Sequence, residues 1–164
     1  MANRTTKNER ESLEFIETNC SQGTYLFTDG ASDHNTAGVG ICIVNNGEII
    51  DYIAESIPGA STNNEAEYTA MLRALEYVKE NSLENVTIYS DSKLIVYQLN
   101  GEWVIQKEHL VPLYLDCREL IEELNVTLEH VHREKNYFAD FYSKYPARVT
   151  ESQIKKFRDR YYLK

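Results

Sequence analysis

The chain has 164 residues, 42% hydrophobic and 26% charged, a composition that fits one soluble globular domain and excludes a fibrous or wholly disordered chain. It contains no run of about 18 apolar residues, which excludes a membrane-spanning helix of ordinary length. A formal net charge of −9 argues against broad phosphate binding, because nucleic-acid affinity rests largely on neutralising phosphates.

In chain order, Leu13, Phe15 and Ile16 can anchor a short helix, which Ser21-Gln22-Gly23 ends. Tyr25-Leu26-Phe27-Thr28 reads as a strand ending at Asp29-Gly30, and Val39 to Val44 as a second one, β-branched and apolar. Asn45-Asn46-Gly47 is a hairpin signal leading into a third strand over Glu48 to Ile57. The period then changes. Ala66, Ala70, Leu72, Ala74, Leu75 and Val78 recur at helical spacing between Thr62 and Glu80, and Ser61 or Thr62 can cap the start. Val86 to Tyr89 is a fourth strand, followed by a short helix over Leu94 to Leu99 and a longer one over Leu110 to Leu124. A fifth strand over Val126 to Val131 and a helix from Asn136 to Tyr145, stopped by Pro146, complete the body. The expected fold class is α/β: a five-stranded mixed sheet, three antiparallel strands followed by two parallel ones, flanked by helices.

The charge is unevenly spread. Residues 24–145 hold 8 basic and 20 acidic residues, whereas residues 146–164 hold 6 basic and 2 acidic ones. Four acids stand at strand ends or helix starts: Asp29, Glu67, Asp91 and Asp140, the last placed in the second turn of its helix. Such positions gather at one rim of an α/β sheet, where ligands bind. Clustered carboxylates persist at neutral pH only when protonated or neutralised by cations, and hard oxygen donors without His or Cys suit Mg²⁺ or Mn²⁺. The three cysteines, Cys20, Cys42 and Cys117, form neither a disulfide framework nor a zinc pattern. Residues 1–15 lack the apolar core of a secretory leader and are rich in acids. A reducing, cytoplasmic location is the expectation.

Four segments together resemble the motifs of type 1 ribonuclease H: Thr28-Asp29-Gly30-Ala31-Ser32, Thr62-Asn63-Asn64-Glu65-Ala66-Glu67-Tyr68, Tyr89-Ser90-Asp91-Ser92 and Asn136-Tyr137-Phe138-Ala139-Asp140. Their order and the intervening elements match that family across roughly residues 24–145. The resemblance implies a ribonuclease-H-like fold and hydrolysis of the RNA strand of RNA–DNA hybrids, leaving 5′-phosphate and 3′-hydroxyl ends. It also implies two Mg²⁺ or Mn²⁺ ions held by Asp29, Glu67, Asp91 and Asp140. Asn64 becomes a candidate minor-groove contact, and Thr62 and Asn63 become candidate backbone contacts, with helix capping as the competing role for all three. Glu65 and Glu67 point about 200° apart on a helix, so one metal centre cannot use both. Glu65 is read as a capping partner.

The chain departs from the better-known bacterial members in two places. Their basic, Trp-containing protrusion is reduced here to Gly101-Glu102-Trp103-Val104-Ile105-Gln106-Lys107-Glu108-His109, where Trp103 is expected to pack; this matches the compact branch of the family. The loop before Asp140 is abbreviated, leaving His132 and Arg133 as auxiliary candidates: His132 for proton transfer, Arg133 for the scissile phosphate or for offsetting the gathered acids. Residues 1–23 are read as an N-terminal extension, 24–146 as the catalytic domain, and 147–164 as a basic, helical tail. Ile154, Phe157 and Tyr161 recur there at helical spacing, which favours a docked helix over direct phosphate contact. The chain is expected to act as a monomer with an RNA–DNA hybrid and no membrane partner. A catalytically weak hybrid-binding module is the alternative function. An exonuclease of the same fold is disfavoured because position 31 is Ala rather than a second acid.

Overall fold

The computed structural model describes residues 6–162. A five-stranded sheet runs in the order β3-β2-β1-β4-β5. Its strands are β1 (Thr24–Asp33), β2 (Thr36–Asn45), β3 (Glu48–Pro58), β4 (Val86–Ser90) and β5 (Thr127–His130). The first three form an antiparallel meander, and β4 and β5 add in parallel to the β1 edge. The helices are α1 (Lys7–Asn19), α2 (Asn63–Glu80), α3 (Lys93–Leu99), α4 (Val111–Leu124), α5 (Tyr137–Ser143) and α6 (Glu151–Tyr162). No helix among the described residues is long and apolar enough to cross a membrane.

Strand alternation divides the interior in two. Leu26, Ile41, Ile43 and Ile88 face α2 and α4, where they pack with Met71, Leu75 and Ile121. Their chain neighbours Phe27, Cys42, Val44 and Tyr89 face the other way, onto Ile16 of α1, Phe138 and Tyr142 of α5, and Phe157 of α6. The basic tail is thus a docked helix, with Ile154 and Phe157 buried. Trp103 packs edge-on against Tyr97, with ring centroids 4.8 Å apart, yet stays 46% exposed.

Three boundaries differ from the sequence reading. β1 does not end at Asp29. Its antiparallel pairing with β2 continues to Asp33↔Thr36, while its parallel pairing with β4 stops at Thr28↔Ser90. Asp29 therefore lies inside a strand, at the point where its parallel neighbour has run out. The extra length comes from a tight turn in which His34 and Asn35 both take positive φ (48° and 61°), the geometry of a two-residue hairpin. The last helix of the body starts at Tyr137, after a 3₁₀ turn at Arg133–Lys135, so Asp140 stands in its first turn rather than its second. The helix after Gly101 is likewise preceded by a 3₁₀ turn, Glu108–Leu110, and begins with Pro112 in its first positions.

Three glycines, Gly30, Gly38 and Gly40, allow helices to touch the sheet; a Cβ at Gly38 would meet the Ser143 carbonyl of α5. A Cβ at Gly30 would collide with the Ala66 carbonyl of α2, and one at Gly40 with the Ala139 carbonyl of α5. Their absence lets Glu67 and Asp140 approach β1 from opposite faces.

Candidate active site

Asp29, Glu67 and Asp91 come from three elements and present carboxylate oxygens that all lie within 4.8 Å of one another. Asp29 is only 9% exposed. Glu67, on the second turn of α2, accepts the Gly30 N–H at 2.8 Å. Asp91 follows β4 directly. Ser92 beside it caps α3 by accepting the Ile95 N–H at 3.3 Å, which fixes the turn that carries Asp91. Asp140 lines the same cavity of about 790 Å³ but is paired with Lys144 at 3.0 Å and stands outside the tight group of three.

The electrostatics follow from burying like charges together. Burial, then the charges of Glu67, Asp91 and Asp140, push the Asp29 carboxyl well above the usual carboxylate range. Burial and the Asp91 charge push Glu67 up to about 8, against the opposing pull of the Gly30 N–H and Arg133. Asp91 is raised by burial, opposed by its hydrogen bond from Asn136 and by Arg133. The metal-free cluster holds a proton at neutral pH on Glu67, whose carboxyl is pushed up to about 8. Its donors are all oxygen, which fits a hard divalent cation such as Mg²⁺ or Mn²⁺.

The other predicted residues separate clearly. Glu65 accepts hydrogen bonds from the Ser61 N–H and from the Ser61 and Thr62 hydroxyls at 2.8–3.2 Å, and these hold its carboxyl below its usual range. It serves the helix end, although its backbone bond goes to Ser61 instead of reciprocating to the capping residue Thr62. Asn63 reaches the cavity, where its Oδ1 accepts the Ser32 N–H at 3.2 Å. Asn64 is exposed and off the cavity lining. Arg133 lines the cavity, whereas His132 does not; its ring stands edge-on to His130 at 5.6 Å.

Several residues at the site had no role assigned from sequence. Asn136 is buried and donates from Nδ2 to the Thr28 carbonyl at 2.9 Å and to Asp91 Oδ2 at 3.1 Å. The single Ser143 hydroxyl hydrogen is shared between the Asp140 carbonyl, 2.7 Å from Oγ, and Asp29 Oδ2, 3.3 Å from it. Lys144 and Arg148 add positive charge to the cavity wall beside Arg133. Helical spacing from Asp140 was the available signal for Ser143 and Lys144, three and four positions on. Asn136 gave only its place at the head of the last motif.

Comparisons with known proteins bear on the family and the fold. A family described as "Reverse transcriptase-like" matches residues 27–145. Ribonuclease HI of Halobacterium salinarum is 33% identical over 120 residues, covering 71% of this chain and 60% of that protein. The crystal structure of that organism's RNase H1 superposes with a TM-score of 0.66 over 71% of this chain and 91% of the other. LC11-RNase H1, solved in complex with an RNA/DNA hybrid, is 32% identical with a TM-score of 0.65, covering 71% of this chain and 91% of that one. The bifunctional protein Rv2228c of Mycobacterium tuberculosis is 31% identical over 83 residues, and this chain spans only 23% of its length.

Proposed function

The chain belongs to the type 1 ribonuclease H family, and we propose that it is an endoribonuclease that hydrolyses the RNA strand of RNA–DNA hybrids, leaving 5′-phosphate and 3′-hydroxyl ends. The observation that carries this reading is the convergence of Asp29, Glu67 and Asp91 within 4.8 Å at the floor of a cavity with cationic side chains on its wall. Asp29, Glu67, Asp91 and Asp140 are the residues to hold two Mg²⁺ or Mn²⁺ ions. Such ions would supply an activated water and a counter-charge for the leaving oxygen.

The chain's own residues do the rest. Asp29 and Glu67 give up their protons when cations bind, because a liganding carboxylate must be ionised. Asn136 orients Asp91, and Ser143 orients Asp29, each through one donated hydrogen bond. Arg133, Lys144 and Arg148 line the cavity and take phosphates of the hybrid, offsetting the acidic body. Asn63 and the exposed Asn64 meet the hybrid at the start of α2, while Thr62 remains the helix cap. The RNA strand is distinguished by its 2′-hydroxyls. Arg133 is the auxiliary residue of choice, since it lines the cavity and His132 does not.

The test is cleavage of labelled RNA–DNA hybrid, RNA duplex and DNA duplex with Mg²⁺ or Mn²⁺, with and without chelator. Chelator-sensitive cleavage confined to the RNA of the hybrid is expected. Binding of the hybrid without cleavage would instead assign the weak binding module.

A further inference from the structure

The family match covers residues 27–145, so α1 and α6 both lie outside it. They meet behind α5. Glu9 of α1 is 1% exposed and carries Arg160 of α6, Nη1 to Oε2 at 3.0 Å, and also accepts a hydrogen bond from the Tyr161 hydroxyl. A capping box with Thr6 fixes Glu9 at the head of α1. Phe15, further along α1, lies edge-on to Phe27 of β1 and Tyr89 of β4 at 6.0 and 5.3 Å. α1 is thus tied to both the tail helix and the sheet.

Ser12 is the residue through which this assembly reaches the site. It is 1% exposed, and its Oγ makes two hydrogen bonds, donating to the Glu134 carbonyl at 3.3 Å and accepting the Tyr137 N–H at 3.0 Å. The second bond supplies a cap that α5 does not make for itself. Asn136, at the capping position, makes no side-chain cap bond: its amide is turned so that Nδ2 meets Thr28 and Asp91, and Oδ1 accepts no N–H of the first turn. The buried Oδ1 of Asn136 has no partner among the described residues. Its amide is therefore placed by two donated bonds and by its own backbone, which Ser12 brackets at residues 134 and 137. Asp140 stands one turn further on, its N–H bonded to the Asn136 carbonyl at 3.1 Å.

We propose that Ser12 is a positioning residue for hybrid cleavage: from a helix outside the family match it fixes Asn136, and through Asn136 the Asp91 carboxylate and the α5 turn that carries Asp140. α6 keeps Ser12 in place through the Arg160–Glu9–Tyr161 contact. This inference rests on the ribonuclease reading given above. Partners one step removed from a liganding carboxylate typically change metal affinity or activity about 10–100-fold when lost.

The experiment uses the full-length chain with Ser12→Ala, and with Leu13→Ala as a comparison that loosens the same helix without touching either bond. Melting temperature, kcat and KM for the hybrid, Mn²⁺ affinity, and amide exchange over residues 134–140 are measured for each. Ser12→Ala is expected to lower kcat or Mn²⁺ affinity about tenfold, at the low end of that range, with KM unchanged and faster exchange at Tyr137 and Asp140. Leu13→Ala is expected to lower the melting temperature while leaving kcat and Mn²⁺ affinity at wild-type values. Wild-type kcat and Mn²⁺ affinity in Ser12→Ala would overturn the proposal, as would losses in both variants that simply track melting temperature. If the wild type cleaves no hybrid, the ribonuclease reading fails by itself, and Mn²⁺ affinity and amide exchange still decide whether Ser12 positions the acids.

Discussion

The two sides of the cavity are held in place by different means. Asp29, Glu67 and Asp91 sit on elements that are anchored in a continuous apolar core: Leu26 in β1, Met71 and Leu75 in α2, and Ile88 in β4 are all fully buried. Asp140 sits on a seven-residue helix, too short to be stable on local propensity. That helix is held by aromatic packing, with Phe141 stacked on Phe157 at 4.0 Å and Phe138 edge-on to Tyr161 at 4.9 Å, and by the hydrogen bonds of Ser12. The first side is built from two neighbouring strands, β1 and β4, and the long helix α2 packed on them. The second depends on contacts between both ends of the chain and its middle.

The sharpest test of that contrast is the ranking of the acids. Glu67→Gln or Asp91→Asn should reduce hybrid cleavage by about 100-fold or more, the scale of losing one preorganised charge-stabilising group. Asp140→Asn should cost less, about tenfold, because Asp140 lies outside the group of three and already has Lys144 as a counter-charge. Glu65→Gln should retain nearly full activity, since Glu65 serves the helix cap. Steady-state cleavage of one hybrid at saturating Mg²⁺ checks all four. An Asp140 loss equal to that of Glu67 would make the two sides equivalent.

The same contrast explains what could be read in advance. Short β-branched and apolar runs, with alternation in the third strand, located the strands, and helical spacing located the helices that bury a regular apolar face. Patterned runs placed Asp29, Glu67 and Asp91 at strand ends or a helix start, but it was the resemblance of their motifs to type 1 ribonuclease H that singled them out as a set. Asn136 was not, since its role is set by a bond to Asp91, 45 residues away in sequence. Ser12 and Glu9 were not, because a buried polar residue in an otherwise amphipathic helix looks like any solvent-facing one until its partners at 134, 137 and 160 are in place. The length of β1 was missed because the His34-Asn35 turn lacks glycine and carries its positive φ on other residues.

A smaller effect separates packing from charge within the tail. Phe157→Ala should destabilise the protein by about 3–5 kcal/mol, the usual cost of emptying a buried aromatic position, and should lower the melting temperature without changing the salt dependence of hybrid binding per folded molecule. Arg148→Ala should do the reverse, leaving the melting temperature nearly unchanged and reducing the slope of log affinity against log salt by about 1. Anisotropy titrations in Ca²⁺ across a salt series, alongside thermal melts, distinguish the two. An unchanged slope in Arg148→Ala would remove that residue from the phosphate contacts.

The central claim is that the three converging carboxylates form a divalent-cation site that becomes fully ionised only when the cation is bound. With Glu67 pushed up to about 8 and Asp29 also raised, the metal-free native state holds protons that the unfolded chain releases above about pH 4.3. Metal-free stability should therefore fall as pH rises from about 5 to about 8, and cation binding near neutral pH should release protons. The direct measurement is calorimetric titration of the metal-free protein with Mn²⁺ at pH 7 in two buffers of different ionisation enthalpy, repeated with Glu67→Gln. The account predicts net proton release in the wild type, shrinking toward pH 9, and much smaller release in Glu67→Gln. Mn²⁺ binding with no proton release, or with equal release in both proteins, would contradict it.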